Sequence, residues 1–226
     1  PSKNAAKVLR DGSIMIEYYG SKWVQRRDVS YLHPETIRMR DAFLRECCLG
    51  EQVFQLPLDL KVGGHVAGVW WDNPGNVCVS YDAYANEWIA RAFREKFGDR
   101  YSGAKYKRDR AYACDPPHFW MKYHDREVQR WYEKLWADAY AGYYAWQYKF
   151  LQDEIAPKLG RTHLFVGGNS KLNWPNANWD YYLYSWPDTY DVLGPNETNP
   201  VYTDKEAPGL KLALAASNGK PAGIWR

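Results

Sequence analysis

At 226 residues the chain is long enough to bury a real core and is no miniprotein. Its net charge of +3 and pI near 8.6 come from acids and bases interleaved along the chain, so a nucleic-acid partner is not expected. Apolar runs such as Gly68-Val69-Trp70-Trp71 fall far short of the roughly 20 residues that span a bilayer, so no transmembrane helix is expected either.

The unusual quantity is the aromatic content, 17%, with 12 Trp and 19 Tyr. Each ring carries a large apolar face, and Trp and Tyr add a polar handle that suits boundaries between dry and wet regions. A chain this rich in both has more interface than one core uses. The first residues, Pro1 to Lys7, hold no apolar stretch of the kind a secretory signal needs, although a processed chain would look the same. Cys47, Cys48, Cys78 and Cys114 form no Cys-x-x-Cys pair, so they read as reduced thiols rather than a disulfide or zinc framework.

Residues 1–34 read as an extended entry segment, with a β-prone run from Ile14 to Tyr19 that ends at Gly20 and a continuation at Trp23-Val24. Pro34 stands at a helix entrance, and Ile37, Phe43, Leu44, Cys47 and Cys48 follow helical spacing to a stop at Gly50. From Val53 to Tyr81 that period disappears. His65–Trp71 and Val77–Tyr81 flank Pro74-Gly75, which fits the centre of a type II turn and predicts a small hairpin. Tyr81, Tyr84, Ala85, Trp88, Ile89, Ala92, Phe93 and Phe97 then predict an amphipathic helix, with Asp82 at its start and Gly98 past its end.

Lys105, Lys107, Arg108 and Arg110 alternate with Tyr106 in a polar connector. Such a run is a candidate contact for a lipid headgroup or phosphate, weighed against a plain solvated loop. Asp115 and Pro116 next read as the cap and first turn of one long helix reaching Pro157. Its seam runs through Val128, Trp131, Leu135, Ala139, Gly142, Trp146 and Phe150, widened by Tyr132, Trp136, Tyr140, Tyr143, Tyr144 and Tyr148. About 40 residues at about 1.5 Å each give roughly 60 Å. A compact chain of this size has a radius of gyration of about 17 Å and a diameter of roughly 45 Å. The helix would overhang its own domain unless broken, most plausibly at Gly142, and an exposed stripe of rings calls for a cover.

Thr162–Val166 is β-prone. The following Gly167-Gly168 lacks the spacing of a phosphate-binding loop. From Leu172 onward no period persists. Some 50 unpatterned residues are an improbable loop and too aromatic for disorder, so an arm that wraps a surface is expected. Within it Trp174, Trp179, Tyr181, Tyr182, Trp186 and Tyr190 interleave with Asp180, Asp188 and Asp191, the pairing of rings and carboxylates that holds and cleaves sugars. The five histidines show no metal-ligand spacing.

The fold class expected is therefore mainly α with a small β-hairpin. It divides into an extended segment over 1–34, a helical domain over 35–157 and an irregular arm over 158–226. The function expected is a non-catalytic subunit of a multiprotein assembly, with several other subunits as partners and no cofactor. Candidate interface residues are Trp131, Trp136, Tyr140, Tyr143, Trp146, Trp174, Trp179 and Trp186. In character the chain is similar to the accessory subunits of mitochondrial respiratory complexes and ATP synthases, which tend to be aromatic-rich, mildly basic and interlocked. That resemblance implies an intracellular, inner-membrane setting. The rival readings are a secreted carbohydrate-binding module or glycoside hydrolase, using the 174–191 cluster, and a ribosome-type RNA-contacting subunit, using Lys105 to Arg110.

Overall fold

The structure is a computed structural model that describes residues 5–14, 16–18, 25–27, 29–52, 66–71, 80–98, 125–170, 188–195, 215 and 217–221. Helices dominate the described residues, as composition and period predicted. They are α1 (Pro34–Leu49), α2 (Ala83–Phe97) and α3 (Arg126–Phe150). Strands β1 (Ile16–Tyr18) and β2 (Gln25–Arg27) pair antiparallel, while β3 (Gly68–Trp71), β4 (Phe165–Ser170) and β5 (Val192–Pro195) form a parallel sheet in that order. The chain divides into two compact units, one of Pro1–Met39 with Cys78–Trp136 and one of Arg40–Val77 with Ala137–Arg226. These cuts do not coincide with the sequence boundaries at 34 and 157.

In the first unit the described N-terminal residues fold back on their own neighbours. Ala6 bridges Val29, Val8 bridges Ile14, and the Val8 carbonyl accepts the Tyr81 N–H at 2.9 Å. The start of α2 follows from Asp82. One carboxylate oxygen accepts the Ala85 N–H at 3.0 Å, satisfying an orphan donor of the first turn, and the other accepts the Ser80 hydroxyl at 2.6 Å. Gly98, at φ 56°, ends the helix by donating to the Arg94 carbonyl, a conformation that costs a glycine little. Ala85, Ile89 and Phe97 are buried along one face. Phe93 and Phe97 meet the Trp131 ring edge-on, at 5.5 and 5.3 Å between centroids, over a small core that includes Val128.

The long helix is shorter than its sequence pattern. Asp125 is non-helical, and one of its carboxylate oxygens accepts the N–H groups of Glu127 at 2.9 Å and Val128 at 3.3 Å. Asp125 is therefore the cap of α3; Asp115 and Pro116, expected as cap and first turn, lie outside the described residues. Helix α3 runs unbroken through Gly142, so the break expected there does not occur. Regular α geometry ends after Phe150, where Leu151–Ile155 form a π turn and Pro157–Leu159 a 3-10 turn before Gly160, at φ 67°, closes the segment. Twenty-five residues at about 1.5 Å each give about 37 Å, against the roughly 60 Å expected.

The buried face of α3 is also rotated from the seam expected. Val128, Tyr132, Trp136, Tyr140, Tyr143, Tyr144, Gln147 and Phe150 are buried, whereas Gly142 is exposed and Trp131, Leu135, Ala139 and Trp146 are half-buried. Tyrosine ranks as polar on hydropathy yet brings a large apolar ring, and here the tyrosine row faces inward. Gln147 lies on the same face at 0% exposure, and neither atom of its amide has a hydrogen-bond partner. An orphaned buried amide is a stability penalty, so Gln147→Met is expected to leave the fold unchanged or up to about 1 kcal/mol more stable. A urea melt of both proteins checks this; a clear loss of stability would show that the amide is satisfied in solution.

In the second unit the described strands form a parallel sheet, and the predicted hairpin falls mostly on residues outside the described ones. The described neighbour of β3 is β4, in parallel, with Gly68 opposite Phe165 and Trp71 opposite Gly168. Residues 72–79, with the proposed turn and most of the return strand, lie outside the described residues. The π turn presents Gln152 to the chain entering β4, where its side chain donates to the Leu164 carbonyl at 2.7 Å and accepts the Leu164 N–H at 3.0 Å. This two-point pairing lets a side chain stand in for a neighbouring strand. Arg45 binds Asp41 and Glu154 and lies 5.1 Å from the Phe150 ring centre, fastening the last turns of α1 to the end of α3.

Candidate functional site

The parallel sheet of the second unit has two unlike faces, set by period-two alternation through β3 and β4. On one, Val166 is fully buried and Gly168 lies under the Tyr190 ring, which is itself 0% exposed and 6.2 Å from Tyr144. A methyl group on Gly168 would come within 2.7 Å of that ring. On the other face, a methyl on Gly167 would come within 2.2 Å of the Trp70 ring and 3.2 Å of Phe165. The glycine pair is thus explained by two aromatic rings laid on the sheet from opposite sides, each needing a position without a side chain. Gly68 is confined as well, because a methyl there would meet the Phe165 carbonyl at 2.4 Å.

On the face of Trp70 and Phe165 both rings reach solvent. Trp70 is 37% exposed and Phe165 44%, and the register sets Gly68, Gly167 and Val192 on the same side. These five positions carry no charge. The next residue along β3, Trp71, points the other way, is half-buried, and has the Arg40 guanidinium 5.3 Å from its ring centre. Arg40 also donates to the Tyr143 hydroxyl at 3.2 Å.

A polar node sits at the entry to β4 and β5. One oxygen of Asp191 accepts the Tyr148 hydroxyl at 2.9 Å; the other accepts the Val166 N–H at 2.8 Å and pairs with His163 Nε2, also at 2.9 Å. The Lys220 ammonium donates to the Tyr190 carbonyl at 2.9 Å and lies over the Tyr148 ring. Burial first, then the hydrogen bond to Asp191 and its charge, push the Tyr148 phenol up to about 12. Because the folded value lies above the usual 10.0, the unfolded chain ionises first. The stability this phenol contributes is complete below about pH 10 and is lost as pH rises from there to about 12. Asp191→Asn is expected to cost about 1 kcal/mol, typical of a lost hydrogen bond. It also moves the Tyr148 titration to lower pH, read by phenolate absorbance.

Half-exposed His163 beside a carboxylate has the outline of a base, but every Asp191 contact runs to the backbone or to a neighbouring element, which is the work of a structural tie. The node also lies where β4 and β5 begin, whereas ligands of parallel sheets gather beyond the carboxyl ends of the strands.

The candidates drawn from sequence fall into three groups. Trp136, Tyr140 and Tyr143 are buried within the chain itself, and Trp131 and Trp146 are half-buried against Phe93, Phe97 and Phe150. Trp174, Trp179, Trp186, Lys105, Lys107, Arg108 and Arg110 lie outside the described residues. Of the ring-and-carboxylate cluster, Asp188, Tyr190 and Asp191 are described; Asp188 is exposed, and Tyr190 and Asp191 serve packing as set out above. Cys47 and Cys48 are free thiols, and burial, reinforced by Cys47, pushes Cys48 up to about 11. Among the described residues no group of histidine, cysteine or carboxylate side chains could hold a metal ion, and no described helix is long and apolar enough to cross a membrane.

The residues that sequence reasoning missed are Trp70 and Phe165. A glycine pair inside a β-prone run was the available signal, since it marks close approach of another group to the strand. Both rings reach solvent, Trp70 at 37% and Phe165 at 44% exposure. Compared with known family models, curated proteins and solved structures, the chain matches none.

Proposed function

We propose that the chain is a non-catalytic structural subunit of a larger protein assembly, with the Trp70–Phe165 face of its parallel sheet seated against a neighbouring subunit. The supporting observation is the pair of exposed rings on that face. Parallel sheets occur almost always with both faces covered, because their strands are apolar on both sides. Two aromatic rings that reach solvent on one face of the sheet suit contact with a partner surface, and aromatic residues are enriched where subunits meet. The aromatic-rich, mildly basic composition supports the narrower reading of an accessory subunit in a mitochondrial respiratory complex or ATP synthase.

Expressed without partners, such a subunit self-associates through its open face. Light scattering is expected to show concentration-dependent oligomers that Trp70→Ser with Phe165→Ser abolishes. A chain that stays monodisperse and monomeric at high concentration would count against the proposal.

A further inference from the structure

We draw no further inference here: the strongest candidate, the aromatic face of the β3–β4–β5 sheet around Trp70 and Phe165, belongs to the site already described, and nothing in the structure shows what covers it.

Discussion

Trp136→Ala is expected to remove about 3–5 kcal/mol from the unfolding free energy, the range for truncating a large buried aromatic. Trp136 is 5% exposed, with the Trp88 ring at 5.9 Å and the Tyr132 ring at 6.4 Å, both edge-on. Its removal leaves a cavity bounded by rings that pack in fixed geometry and collapse poorly. Against a total stability of about 5–15 kcal/mol, a loss of this size is a large fraction of the whole. Trp146→Ala is expected to cost less, because Trp146 is half-buried and stacks on Phe150 at 5.6 Å while keeping one side in water. Urea denaturation of the two variants distinguishes them. The sequence pattern pointed to both residues as partner-facing, so equal and small effects on the isolated fold would restore that assignment.

Gly168→Val is expected to be the next most damaging change, at about 1–3 kcal/mol for overpacking. The comparison with Gly167→Val is the sharper test. Distance alone ranks Gly167 as the worse site, since an added methyl meets Trp70 at 2.2 Å there, against 2.7 Å to Tyr190 at Gly168. Freedom to move reverses the order. Tyr190 is fully enclosed, whereas Trp70 is more than a third exposed, so its ring has room to shift on the solvent side. The melting temperature should therefore fall further for Gly168→Val, and the red shift of tryptophan emission should belong to Gly167→Val. A larger loss of stability at Gly167 would mean that Trp70 is held as firmly as a core residue.

Helices α1 and α2 were legible because their ends are written locally. Pro34 opens the first and Gly50 closes it, and Asp82 and Gly98 bound the second; Gly50, Asp82 and Gly98 each act on a backbone group no more than four residues away. The start of α3 was not legible for the same reason in reverse. Asp115-Pro116 is as good a cap by composition as Asp125, and only the bonds from Glu127 and Val128 place a helix start at Asp125. The inward face of α3 was obscured because tyrosine is scored by its hydroxyl when its ring sets the packing. Tyr140 and Tyr144 make the point, with buried rings 4.9 Å apart at centroids and hydroxyls 3.5 Å apart. Burial, compounded by Tyr190, pushes the Tyr144 phenol far above its usual range.

The sheet was the least legible element. β3 pairs with β4 far along the sequence, and no local rule carries that contact. The site shares this difficulty. Trp70 and Trp71 are adjacent in sequence and point to opposite faces, so one ring is more than a third exposed while the other lies beside Arg40. Gly167-Gly168 looked like a failed phosphate loop until the rings above and below it were located. Asp191 looked like a carboxylate for sugar chemistry, yet its partners, Tyr148, His163 and Val166, make it a fastening of α3 to the sheet.

The central claim is that this chain belongs to an assembly and meets a neighbour through the Trp70–Phe165 face. The most direct measurement is gentle affinity purification of the tagged chain from the cells that make it, with mass spectrometry of the co-eluting proteins. It is run in parallel for the Trp70→Ser, Phe165→Ser double variant, whose thermal melt is checked first. The account predicts several stoichiometric protein subunits with the wild-type chain and their loss with the variant at unchanged melting temperature. A wild-type chain that elutes alone, or a variant that keeps every partner, would contradict it.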